Sequence, residues 1–170
     1  MTEQAVVGVG NQIMRDDGLS AAVVDALRDA GLDDHPNVSL SHAGTTAFFA
    51  LEAMDGADRA IVVDAIQVPD ADPGDVHRIV YREGAFETAD FDINMHDFSF
   101  TEALAAGDHA YDVPDEIVVL GMTPAVVTAG LELSATVREG LDELVALVRR
   151  ELERGGTTID APKTTAEGSP

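Results

Sequence analysis

The sequence predicts an α/β protein in three layers: a twisted, mostly parallel sheet of about five strands with helices on both faces. Three observations predict it. Short, nearly continuous apolar runs recur along the chain, as in strands buried on both faces. Stretches with apolar residues at helical spacing lie between those runs. Strand and helix signals alternate, the pattern of a parallel sheet with crossover helices.

The elements follow in order. Gln4 to Val9 reads as a first core strand. Gly18 to Ala30 carries Leu19, Val23, Leu27 and Ala30 at helical spacing, with Asp17 placed as its N-cap. Val38 to Leu40 is a candidate second strand, and Thr45 to Met54 a helix with Phe48, Leu51 and Met54 on one side. Ala60-Ile61-Val62-Val63 is a buried strand ending at Asp64. After a Pro-Asp-Ala-Asp-Pro-Gly turn, Val76 to Tyr81 is strand-like, and Phe98 to Ala106 is a helix. Ile117 to Leu120 is a further strand closed by Gly121. Ser134 to Glu153 is the longest helix, with Val137, Leu141, Leu144, Val148 and Leu152 along one stripe. Its N-cap is Ser134 or Thr136, the latter in a capping box with Glu139. One domain is expected over residues 1–154, and the polar segment 155–170, without apolar periodicity, as a mobile tail.

Charge is the strongest compositional signal. Thirty-two acids face ten bases, a formal net charge of −22. Such a surface repels phosphate backbones and anionic lipids, which argues against nucleic-acid and membrane partners. The acids are spread along the whole chain, as in a surface suited to very high salt. The other reading is an acidic docking face for a basic partner. No apolar run reaches the roughly 18 residues of a membrane helix. The N-terminus carries no secretory pattern, so a cytoplasmic location is expected. With no cysteine, any metal must be held by His, Asp, Glu or backbone oxygen.

Sites in such folds gather at the carboxyl ends of the strands, and unusual polar residues fall there: Asn11, Asp16 and Asp17 after the first strand, and Asp64 at the end of the third. Gly8-Val9-Gly10-Asn11 suggests a dinucleotide turn, but Ile13 stands where the third glycine belongs, and Asp16 and Asp17 oppose a pyrophosphate at the helix mouth. No nucleotide is expected. Asp16-Asp17-Gly18 also reads as a plain helix cap. A carboxylate ending a buried strand, as Asp64 does, needs a partner or a cation. His96 precedes a helix and by itself reads as a loop histidine or cap; His42 and His77 lie on strands, and His35 and His109 in loops. Together Asp17, Asp64 and His96 could form an O,O,N site with open positions, suited to nickel or zinc.

These residues resemble a family. Val7-Gly8-Val9-Gly10-Asn11 followed by Asp16-Asp17-Gly18 is similar to the opening motif of the hydrogenase maturation endopeptidases. Gly44-Thr45, Ile61-Val62-Val63-Asp64-Ala65 and Pro73-Gly74 resemble its middle; His96 with Thr101-Glu102-Ala103-Leu104 resembles the next block. Val119-Leu120-Gly121-Met122-Thr123-Pro124 and Leu133-Ser134 resemble the last. The resemblance implies a peptidase that recognises nickel already inserted in the precursor of a nickel-iron hydrogenase large subunit, then removes a C-terminal extension. It implies Asp17, Asp64 and His96 as metal contacts, with Asn11, Asp16, His42, Gly44 and Thr45 around the substrate. The metal would come with the substrate, with none permanently bound. Asp17 and Asp64 are the nearest catalytic candidates, and the motifs do not settle how the peptide bond is attacked. Two departures stand out: Asp17 where the family often has Glu, and His42 where it usually has an acid before Gly-Gly-Thr. His42 is the feature favouring the alternative, a non-catalytic maturation partner of the same fold that binds a metal centre.

Overall fold

The buried strands sort their side chains by parity. Ala5, Val7, Ala60, Val62, Ile117 and Val119 enter one core with Ala50, Leu51 and Met54. Val6, Ile61, Val63, Val118 and Leu120 enter the other, with Leu19, Val23, Leu27, Val137, Leu144, Val148 and Leu152. A period of two with both faces apolar is what a sheet covered on each side requires. The computed structural model describes residues 2–45, 47–82, 85–87 and 110–159. Its elements are β1 (Gln4–Gly8), α1 (Leu19–Asp29), β2 (Val38–His42), α2 (Ala47–Met54), β3 (Arg59–Ala65), β4 (Val76–Arg82), β5 (Ala85–Glu87), β6 (Glu116–Met122) and α3 (Ala135–Arg154).

The sheet runs β2-β1-β3-β6-β4-β5. The first four strands pair in parallel; β4 runs antiparallel to β6, and β5 antiparallel to β4. The α/β, mostly parallel expectation holds, with six strands in place of about five. The connection 66–75 between β3 and β4 is shorter than the dozen or so residues of a crossover, so the chain returns antiparallel. Helices α1 and α3 cover one face and α2 the other. β1 sends its chain toward β2 and β3 toward the opposite edge, so a crevice opens beyond the carboxyl ends of β1 and β3, the usual ligand position in this topology.

Several expectations are corrected. Asp17 does not cap α1: Gly18 occupies that position, with no side-chain cap bond. Phe48 is 50% exposed, whereas Ala50, Leu51 and Met54 are buried. Residues three apart on a helix drift by about 60°, which carries Phe48 off the stripe that Leu51 and Met54 share. Ser134, and not Thr136, caps α3, accepting from the Val137 N–H at 3.3 Å. Residues 155–159, assigned by composition to a tail, are described and partly packed: Gln4 Nε2 donates to the Leu152 carbonyl at 2.8 Å and to Thr157 Oγ1 at 2.7 Å. Thr157 is buried. The expected helix at Phe98 to Ala106 and residues 160–170 lie outside the described residues.

Candidate functional site

The loop after β1 is built by hydrogen bonds that leave little slack. Val9 N–H donates to the Val63 carbonyl at 2.9 Å and Gly10 N–H to the Gly44 carbonyl at 2.9 Å, which sets the β1, β2 and β3 ends side by side. Gly10 has φ +143°, and a Cβ there would lie 2.0 Å from the Asp17 carbonyl oxygen, so glycine is required. Asn11 Oδ1 accepts from Ile13 N–H at 3.1 Å, closing a local turn. Asn11 N–H donates to Asp17 Oδ2 at 2.9 Å, so the loop folds back and fixes the second acid.

His42 closes the β2 side. Gly44 N–H donates to His42 Nδ1 at 3.3 Å, which assigns the proton to Nε2; Nε2 then donates to Ser20 Oγ at 3.2 Å, and Ser20 donates to the Val9 carbonyl at 2.8 Å. Burial holds His42 below the ordinary histidine range, with Asp25 opposing and Arg28 assisting. His42 is thus a neutral part of the wall. Gln12 Nε2 also reaches its Nδ1, at 3.4 Å.

Asp64 stands at the carboxyl end of β3, in register with Gly121 on β6. Burial of its carboxyl pushes it well above the ordinary carboxylate range; the negative charge of Asp17 pushes the same way, and the Ala65 N–H opposes both. The fold therefore holds Asp17 and Asp64 within electrostatic reach of each other.

Hydrogen bonds join Asn11 to Asp17, Gly44 to His42 and Gly10 to Gly44, and Asp64 is coupled to Asp17 through charge. Thr45 is exposed beside them, and Thr46 and His96 lie outside the described residues. Among the described residues no three His, Asp or Glu side chains gather into a metal cluster. Asp16, expected to face the substrate, is a correction. It is fully buried, and its carboxylate accepts from Ala125 N–H, Val126 N–H, Ser134 N–H and Ser134 Oγ. Burial alone would raise its pKa, but the bonds from Ser134, Val126 and Ala125 prevail and hold it low. Ser20, Gln12 and Ser134 were missed as parts of this end of the molecule. Ser134 carried a sequence signal as a cap and within the Leu133-Ser134 block, but none as a partner of Asp16.

The fold and site define an α/β protein with a paired-carboxylate crevice at the switch point of its sheet. Residues 21–151 match the hydrogenase maturation protease family model (HycI), so the chain belongs to that family, a family of peptidases. It is 28% identical over 158 residues to the hydrogenase expression/formation protein HupD of Rhizobium leguminosarum bv. viciae, covering 92% of this chain and 77% of that protein. It is 25% identical over 152 residues to the hydrogenase 2 maturation protease of Escherichia coli K12, covering 89% and 91%. The hydrogenase maturating endopeptidase HybD from E. coli superposes with a TM-score of 0.74 at 23% identity, over 91% of this chain and 94% of that one. The [NiFe] hydrogenase maturation protease HybD from Thermococcus kodakarensis superposes at 0.66 and 21% identity, over 88% and 98%.

Proposed function

We propose that this peptidase removes a C-terminal extension from the precursor of a nickel-iron hydrogenase large subunit after nickel has been inserted. In this reading Asp17 and Asp64 contact nickel carried by the substrate, with His96 as the third contact, and no metal is permanently bound. The observation that carries it is the placing of Asp64: a partly buried carboxyl at the carboxyl end of β3, held above its ordinary range by burial and by the charge of Asp17. A divalent ion turns that repulsion into attraction, and carboxylate and imidazole suit it. The ion is then both a binding determinant and a checkpoint, because a nickel-free precursor leaves the two acids opposed. Asn11, Gly44 and Thr45 line the approach, and neutral His42 shapes the wall. The reaction takes place in the cytoplasm.

Calorimetric titration of Ni²⁺ into the purified protein tests the metal contacts. Weak binding is expected in the wild type, and a marked loss in Asp64→Asn and in His96→Ala. Equal affinity in all three proteins would remove these residues from the site.

A further inference from the structure

We propose that Asp16 is a positioning residue for Asp17, a latch that joins the loop after β1 to the loop after β6. The two acids are adjacent but opposite in role. Asp16 is fully buried, whereas Asp17 is half-buried at the crevice. The Asp16 carboxylate takes 2.9 and 2.8 Å bonds from the Ala125 and Val126 amides, a 2.7 Å bond from the Ser134 amide and a 2.8 Å bond from Ser134 Oγ. Three of the four donors converge on Oδ2 and one reaches Oδ1. The backbone adds a second tie, since Asp16 N–H donates to the Val126 carbonyl at 3.0 Å. Beside it, Arg15 N–H donates to the Gly130 carbonyl at 3.0 Å, Gly130 N–H to the Ile13 carbonyl at 2.9 Å, and Arg15 Nε to the Glu132 carbonyl at 3.0 Å. Arg15 takes φ +44°, a left-handed conformation that persists only where neighbours enforce it. The latch enforces it, and the turn that results sends Asp16 inward and Asp17 outward. Asp17 then meets the Asn11 amide.

The structural claim stands without nickel; only its catalytic consequence rests on the function proposed above. The test is the NMR position of the Asn11 amide, which reports its bond to Asp17. In Asp16→Asn it moves toward the position seen in Asp17→Ala, while in Val148→Ala, a core variant on α3, it stays at the wild-type position. Ser134→Ala, which removes one donor, shifts it less in the same direction and carries the test if Asp16→Asn does not fold. Processing of nickel-loaded precursor falls roughly 10- to 100-fold in Asp16→Asn, as misplacing a reacting group does, and is unchanged in Val148→Ala. An Asn11 amide unmoved in Asp16→Asn and Ser134→Ala overturns the proposal. A moved amide in a protein whose wild type cuts no precursor upholds the latch and overturns the proposed function.

Discussion

Asp64 is the residue on which the site's electrostatics turn. Its carboxyl is raised by burial and then by Asp17, so its charged form is disfavoured. Asp64→Asn keeps the shape and removes the charge. Its unfolding free energy in urea is expected to match wild type within about 1 kcal/mol, while Ni²⁺ binding is lost. Asp17→Glu should be mild, because it keeps the carboxylate and lengthens the side chain by one methylene. His42 gives a pH signature. Burial lowers its pKa from 6.5, so the unfolded chain takes up the proton first. Its contribution is full above the unfolded value and declines as pH falls through about 6.5 toward the folded value. His77 is lowered by burial too, with Asp75 opposing, so its slope has the same sign. The readout is therefore the difference between wild type and His42→Gln, whose amide can still serve Gly44 and Ser20. Thermal melts between pH 7 and 5 should fall less steeply in the variant; parallel curves would show that His42 does not contribute.

Elements succeed or fail by how they hold the crevice. Gly10→Ala would set a methyl 2.0 Å from the Asp17 carbonyl oxygen at φ +143°, so the loop must open. Processing should be lost while the sheet persists, read by activity against circular dichroism. At the opposite end of the sheet an ion cluster joins β3, β4, β6 and α3. Arg59 bonds Glu116 Oε1 at 2.8 Å and Glu151 Oε2 at 2.6 Å, Arg78 and Arg154 also bond Glu151, and Arg82 bonds Glu116. Arg59 and Glu151 are buried. Glu151→Ala should cost about 3 kcal/mol in urea unfolding, because it removes one of the two carboxylates paired with the buried Arg59 guanidinium. The core strands were legible in the sequence because Val, Ile and Leu run continuously where both faces are covered. β5 was not, since three residues carry no period. Asn11, Asp17 and Asp64 drew notice in the sequence because polar groups close after buried strands are conspicuous, and the structure links Asn11 to Asp17 by a hydrogen bond and Asp64 to Asp17 by charge. Asp16 was misread because its partners lie 109 to 118 residues away.

At the scale of the whole molecule, charge dominates. Thirty-two acids face ten bases, and four of the arginines are committed to the Glu116 and Glu151 cluster. The remaining surface is strongly acidic, and self-repulsion should oppose folding in dilute buffer. The melting temperature is expected to rise with KCl well into the molar range, beyond the point where Debye screening is nearly complete. A flat series would assign the acids to a partner instead. Among the described residues no helix is long and apolar enough to cross a membrane. We propose that nickel on the precursor licenses the cut by this acidic protein. The most direct test is the mass of the large subunit after incubation with nickel-loaded or nickel-free precursor, using wild type and Asp64→Asn. The account predicts a shortened product only from loaded precursor with wild type. Efficient cleavage of nickel-free precursor by wild type, or normal cleavage by Asp64→Asn, would contradict it.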